Sequence, residues 1–141
     1  MSDISGKAIV HFAGKNLFIG ISPSGHAVTF DTDRERNSAP SPVEMLLIAL
    51  GSCTGVDVVG ILEKKRIEVS EYRIELSGTR REEHPRAFTR IEVKHVIKGK
   101  NISEKAVAQA VELSDQKYCS VAATFRPTVE IVSSYEIIQA E

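Results

Sequence analysis

Two residues stand out as able to do chemistry, Cys53 and Cys119. The thiolate form of cysteine is a strong nucleophile, and oxidation takes it to a sulfenic acid or a disulfide. Cys53 stands in Ala49-Leu50-Gly51-Ser52-Cys53-Thr54-Gly55, where Gly51, Ser52 and Gly55 leave almost no side-chain bulk. Glycine costs about 1 kcal/mol against alanine inside a helix. Two glycines beside a cysteine therefore predict a close approach, by another helix or by a substrate. Cys119 stands in Lys117-Tyr118-Cys119-Ser120-Val121-Ala122, near a helix end or break. The two are too far apart for a Cys-x-x-Cys motif. Spacing leaves two readings open: a redox pair, or two thiols packed as small hydrophobes.

Few other residues compete for a chemical role. Asp57 lies one turn beyond Cys53, and a carboxylate there raises a thiol pKa unless an arginine pairs with it. The arginine candidates are Arg34, Arg36, Arg80, Arg81 and Arg86, all in expected loops. Glu44 completes a Ser-x-x-Glu capping box with Ser41, which accounts for it without function. His11, His26, His84 and His95 show no metal-ligand spacing with one another or with a cysteine, so no metal site is expected. There is no glycine-rich phosphate loop and no Gly-x-Ser-x-Gly elbow. Arg80-Arg81-Glu82-Glu83 is mixed in sign and reads as a solvated turn.

The elements that must position the cysteines follow from periodicity and turn chemistry. Ala8–Phe12, Leu17–Ile21 and Ala27–Phe30 read as three strands, with turns at Ala13–Asn16 and Ser22–Gly25. Asp31–Ser41 reads as an exposed polar loop. A helix starts with Ser41 as N-cap and Pro42 at its first position. Val43 to Leu50 is almost wholly apolar, which predicts a helix buried on all sides. Its charged end is Glu63-Lys64-Lys65-Arg66. Tyr72, Ile74 and Leu76 alternate with Arg73, Glu75 and Ser77, and Ile91, Val93, His95 and Ile97 with Glu92, Lys94 and Val96. Ser103 caps a second helix carrying Val107, Ala110 and Val111 on one face, and Val129–Ile137 alternates as a last strand. The class is α+β with mostly antiparallel sheets. A fully buried helix is hard to cover in so small a domain, which predicts a homodimer.

The 141 residues fit a single domain, 1–141. Lys plus Arg is 18 and Asp plus Glu is 19, a formal net charge of −1. That balance argues against a nucleic-acid binder. Met1-Ser2-Asp3-Ile4 lacks the start of a signal peptide. The run Pro42–Gly55 falls short of the roughly 20 apolar residues of a membrane span. The expectation is a cytoplasmic protein with no membrane partner, a setting in which paired cysteines are catalytic or redox-sensing rather than structural.

The segment Ala39-Pro40-Ser41-Pro42-Val43-Glu44-Met45-Leu46-Leu47-Ile48-Ala49-Leu50-Gly51-Ser52-Cys53, with Cys119-Ser120-Val121 later, resembles the OsmC/Ohr family of osmotically inducible and organic hydroperoxide resistance proteins. Within it, Ala-Pro-Ser-Pro-x-Glu-Met and Lys117–Ala122 resemble a YhfA-like branch. The resemblance implies one OsmC-like domain with a long buried central helix, forming an intertwined homodimer with two interfacial sites. It implies a thiol peroxidase without a cofactor. Cys53 would attack a hydroperoxide and become a sulfenic acid. Cys119 would then close a Cys53–Cys119 disulfide, and an external dithiol would reduce it.

The sequence departs from the hydroperoxide reductase pattern in two places. Val43 stands where those enzymes carry a glutamate after the proline, and Glu44 is about 100° further round the helix. The first thirty residues hold no arginine, so Arg34 or Arg36 would have to hold the thiolate from the loop. A non-enzymatic dimer that senses redox state or binds a small ligand is the alternative expectation, and a hydrolase or transferase with a cysteine nucleophile is a third.

Overall fold

In the computed structural model the described residues are 6–141, so the reading of Met1–Ile4 lies outside them. The chain divides into two compact units, Met1–Leu46 and Leu47–Glu141.

The first unit is an antiparallel meander of β1 (Ile9–Phe12), β2 (Leu17–Ile21) and β3 (Ala27–Asp31). Its first turn has the Leu17 amide donating to the Gly14 carbonyl at 3.0 Å, with Lys15 and Asn16 at φ 45° and 44°. Positive φ at both central residues is the geometry whose twist matches the flanking strands. The second turn has Pro23 and then Gly25 at φ 89°. The stretch after β3 is largely exposed, as expected, but it is built around one buried carboxylate. Asp31 accepts from Arg36 Nε and Nη2, both at 2.8 Å, from Ser38 Oγ at 2.6 Å, and from the Ser38 and Asp33 amides. These donors, Arg36 first, hold its carboxyl far below the usual carboxylate range. The capping box forms as read: the Ser41 amide donates to Glu44 Oε1 at 2.9 Å, and the Glu44 amide donates to Ser41 Oγ at 3.2 Å.

That box opens α1 (Pro42–Lys64). Most of the helix belongs to the second unit. The expected close approach at its glycines is made to a strand, not to another helix. A Cβ at Gly51 would meet Leu76 at 2.7 Å, and one at Gly55 would meet Ile74 at 2.8 Å. Both partners lie on β4 (Glu71–Arg80). The helix is not buried on all sides. Leu50, Thr54, Val58 and Leu62 are buried, but Leu46, Ile48 and Val56 are exposed, Val56 by 74%. One chain covers one stripe of an apolar cylinder, and nothing among the described residues covers the other. By length and composition α1 could also cross a membrane, contrary to the expectation from its first half. Asp57 within it and its packing on β4 make it the central helix of a folded unit instead.

The pairing is mostly antiparallel, as expected, but the second sheet is mixed. Its order is β4-β5-β6, where β5 is Phe88–Gly99 and β6 is Glu130–Gln139. β4 pairs with β5 antiparallel, and β6 pairs with β5 parallel. A parallel neighbour needs a long crossover. Here the crossover carries α2 (Glu104–Leu113), one π-helical turn at Ser114–Tyr118, and α3 (Ser120–Phe125). Ser103 caps α2 by accepting from the Ala106 amide. The sequence does not predict α3, because six residues are too few to show a period.

Two apolar clusters fill this unit. One holds Val58, Leu62, Ile97, Val107, Ala110 and Val111. The other holds Leu50, Ile91, Val93, Cys119, Ala122 and Val129. Buried polar residues separate them along each element: Thr54 between Leu50 and Val58, His95 between Val93 and Ile97, and Ser114 between Val111 and Cys119.

Candidate functional site

Both cysteines are free thiols in the same apolar cluster. Cys53 lies in the middle of α1, too far from either end for the helix dipole to act on it. It is half-buried, and it packs against the cluster that holds Leu50 and Cys119. Cys119 is 3% exposed and sits where two elements meet. Its amide donates to the Ser114 carbonyl at 2.9 Å, closing the π-helical turn. Its sulfur accepts from the Ala122 amide at 3.3 Å, capping α3. The π turn is what lets one residue end one helix and begin the next, and such turns recur at functional sites.

Burial pushes the Cys119 thiol up to about 11. The Ala122 amide works against that shift, whereas Cys53 and the Asp57 charge add to it. The two thiols are therefore unequal: one accessible, the other buried and held protonated beside it.

Asp57 is tied into this arrangement by a hydroxyl chain. Ser114 Oγ donates to Asp57 Oδ2 at 2.8 Å. Thr54 Oγ1 and Ser114 Oγ lie 2.8 Å apart. Ser114 has one proton and gives it to Asp57, so Thr54 is the donor in that second contact. The sequence points to Asp57 but not to Ser114 or Thr54. The available signal is helical spacing, since Thr54 and Asp57 share the buried side of α1.

The other candidates are accounted for elsewhere. Arg36 is committed to Asp31, and Glu44 to the capping box. Among the described residues, the Arg34 side chain makes no hydrogen bond or ion pair, and it is exposed. Arg80, the last residue of β4, donates through Nε to the Arg86 carbonyl at 2.7 Å, and Arg81–Glu83 beyond it are exposed, in keeping with the expected solvated turn. Among the described residues, no three His, Cys, Asp or Glu side chains gather to hold a metal ion.

His95 is fully buried, with Tyr72 Oη 2.6 Å from its Nδ1 and no partner on Nε2. Burial lowers its pKa below 6.5, against a smaller opposing effect of Asp115. The unfolded chain therefore takes up this proton first as the pH falls. The contribution of neutral His95 is fully present above about pH 6.5 and is lost below it, by up to about 1.4 kcal/mol per pH unit. Urea midpoints should fall between about pH 7.5 and pH 5.5 in the wild type, and fall less in His95→Gln. Equal midpoints at the two pH values in the wild type would contradict this.

The comparisons with known proteins agree with this architecture. The family model for OsmC-like proteins matches residues 35–134. Protein YhfA of Escherichia coli K12 is 45% identical over 123 residues, covering 87% of this chain and 91% of its own. The crystal structure of a hypothetical protein from Aquifex aeolicus superposes with a TM-score of 0.85 at 38% identity, over 96% of this chain and 98% of that one. An organic hydroperoxide resistance protein OsmC from Legionella pneumophila superposes with a TM-score of 0.70 at 13% identity, over 96% and 99%, a likeness of fold. With its family segment running from the loop before α1 into β6 and a relative sharing nearly half of its aligned residues, the chain belongs to the OsmC-like family.

Proposed function

We propose that this protein is a thiol-dependent peroxidase that reduces organic hydroperoxides. The observation that carries the reading is the inequality of the two neighbouring thiols, Cys53 half-buried and Cys119 buried and protonated in one apolar cluster. The Cys53 thiolate attacks the distal peroxide oxygen. The O–O bond breaks, the alcohol leaves after taking a proton, and Cys53 becomes a sulfenic acid. Cys119 then attacks that sulfur, the S–O bond breaks, water leaves, and a disulfide remains. An external dithiol, in a cytoplasmic setting that keeps thiols reduced, returns both cysteines to thiols. The apolar lining of the cluster suits an organic substrate, and the Legionella protein of the same fold is by name an organic hydroperoxide resistance protein.

We also propose a second copy of the chain as the cover for Ile48 and Val56 on α1, giving the homodimer that the family resemblance implies. A second reading, a redox-sensing dimer, is favoured by one observation. The guanidinium of Arg36 and the carboxylate of Glu44 are already engaged, so neither is available to activate Cys53.

One experiment separates these readings. Reduced protein is mixed with one equivalent of cumene hydroperoxide, then with excess of both peroxide and dithiothreitol. The peroxidase reading expects one cumyl alcohol and one Cys53–Cys119 disulfide per chain, followed by many turnovers. A single stoichiometric oxidation without turnover supports sensing. Intact thiols beside unreacted peroxide overturn both.

A further inference from the structure

The peroxidase reading leaves a proton problem. Cys119 must lose a proton to attack, and the oxygen leaving Cys53 must gain one. Burial holds that proton on Cys119, and the cluster around it is apolar. A group close to both cysteines could carry it.

Three geometric facts put Asp57 there. It lies four residues after Cys53 on α1, and such side chains are neighbours with Cβ atoms about 5–6 Å apart. Its Oδ2 accepts from Ser114 Oγ at 2.8 Å, and the Ser114 carbonyl accepts from the Cys119 amide at 2.9 Å. One residue thus fixes both the carboxylate and the attacking cysteine. Asp57 also lines a cavity of about 450 Å³ with Val56, Gly60, Lys64, Leu113 and Tyr118. It stands where the buried hydroxyl chain meets space open to exchange. Its charge is felt at the Cys119 thiol.

We propose that Asp57 is the proton shuttle for disulfide formation, its carboxylate taking the Cys119 proton during the attack and delivering it to the oxygen that leaves Cys53. This rests on the peroxidase reading. The balance is internal. The S–H bond of Cys119 and the S–O bond of Cys53 break, the S–S bond and one O–H bond form, and water departs. Asp57 ends as it began. Ser114, with Thr54 behind it, is a positioning residue that aims the carboxylate. The other titratable and charged groups around Asp57 are Tyr72 on β4, Lys64 and Lys65 on α1, and Tyr118 and Asp115 on the π turn, with His95 behind Tyr72.

Two mechanisms predict opposite signs for Asp57→Asn, which keeps the shape and the acceptor for Ser114. If the carboxylate acts only through its charge, its removal eases ionisation of Cys119 and speeds disulfide formation. If it carries the proton, its removal slows that step. Stopped-flow traces with one equivalent of cumene hydroperoxide resolve peroxide loss from disulfide formation. The shuttle expects the second rate relative to the first to fall roughly 10–100-fold at neutral pH, and to rise steeply with hydroxide concentration. Ser114→Ala should give a smaller fall with the same pH trend, and it serves if Asp57→Asn does not fold.

The same variants are assayed without peroxide. Cys53 is converted to its mixed disulfide with 5-thio-2-nitrobenzoate, and release of the coloured thiolate reports attack by Cys119. Here only the deprotonating half of the shuttle is needed, and Asp57→Asn should again be slower. Unchanged or faster release overturns the shuttle. Slower release in a protein that leaves hydroperoxide untouched overturns the peroxidase reading while the proton role of Asp57 stands.

Discussion

Cys53→Ser should lose hydroperoxide consumption by on the order of 10³-fold or more, down to the buffer rate. A serine hydroxyl is not ionised near neutral pH, and oxygen does not cycle through a sulfenic acid. The fold should survive, since Cys53 is half-buried and lies mid-helix, where it caps neither end. Cys119→Ser should behave differently. Its sulfur caps α3 by accepting from the Ala122 amide, and serine is a better N-cap than cysteine. The variant should fold and consume one equivalent of peroxide in a burst. It should then stall, because no thiol resolves the sulfenic acid. Mass spectrometry should show Cys53 gaining two oxygens as excess peroxide carries it to sulfinic acid. Wild-type rates in Cys53→Ser, or sustained turnover in Cys119→Ser, would contradict the assignment of roles.

The second large effect concerns α1. Leu62 is fully buried in the cluster with Val58, Ile97 and Val107. Leu62→Ala removes most of a buried side chain and leaves a cavity, at a cost of about 2–5 kcal/mol. For a chain of this size that lowers Tm by about 6–15 °C. Val56 lies on the same helix but is 74% exposed. Val56→Asp should change unfolding at low protein concentration by only about 0.5 kcal/mol. At high concentration the wild type should gain stability from self-association, and Val56→Asp should not. Scanning calorimetry at two concentrations, with sedimentation velocity, reads both effects. A Leu62→Ala variant as stable as the wild type would show that α1 is not the core of this unit. A concentration-independent, monomeric wild type would remove the dimer.

Much of the architecture is legible in the sequence because it depends on local chemistry. The turns at Gly14–Asn16 and Pro23–Gly25 need residues that tolerate positive φ or pre-set it, and those residues are there. The capping box at Ser41 and Glu44 involves only neighbours in the chain, so it forms as read. The strands carrying Tyr72, Ile74 and Leu76, and Ile91 through Ile97, follow from alternation. Local rules do not reach the pairing of β6. Alternation marks a strand but carries no direction, and the parallel pairing with β5 depends on the crossover through α2 and α3. The same limit hides the Asp31 hub, whose donors come from different points of a loop that composition alone reads as solvated.

For the candidate site, the sequence by itself determined that two cysteines exist, that one stands in a helix stripped of bulk, and that a carboxylate follows one turn later. Those are statements of composition and helical period. Only the tertiary structure decided that Cys53 and Cys119 share one apolar cluster, that Cys119 is the buried and protonated member, and that Ser114 ties Asp57 to it. The physical reason is range. Burial, charge coupling and a hydrogen bond between residues 57 apart in sequence depend on how α1 and the crossover helices pack on the sheet. Nothing within a few residues of either cysteine encodes that packing.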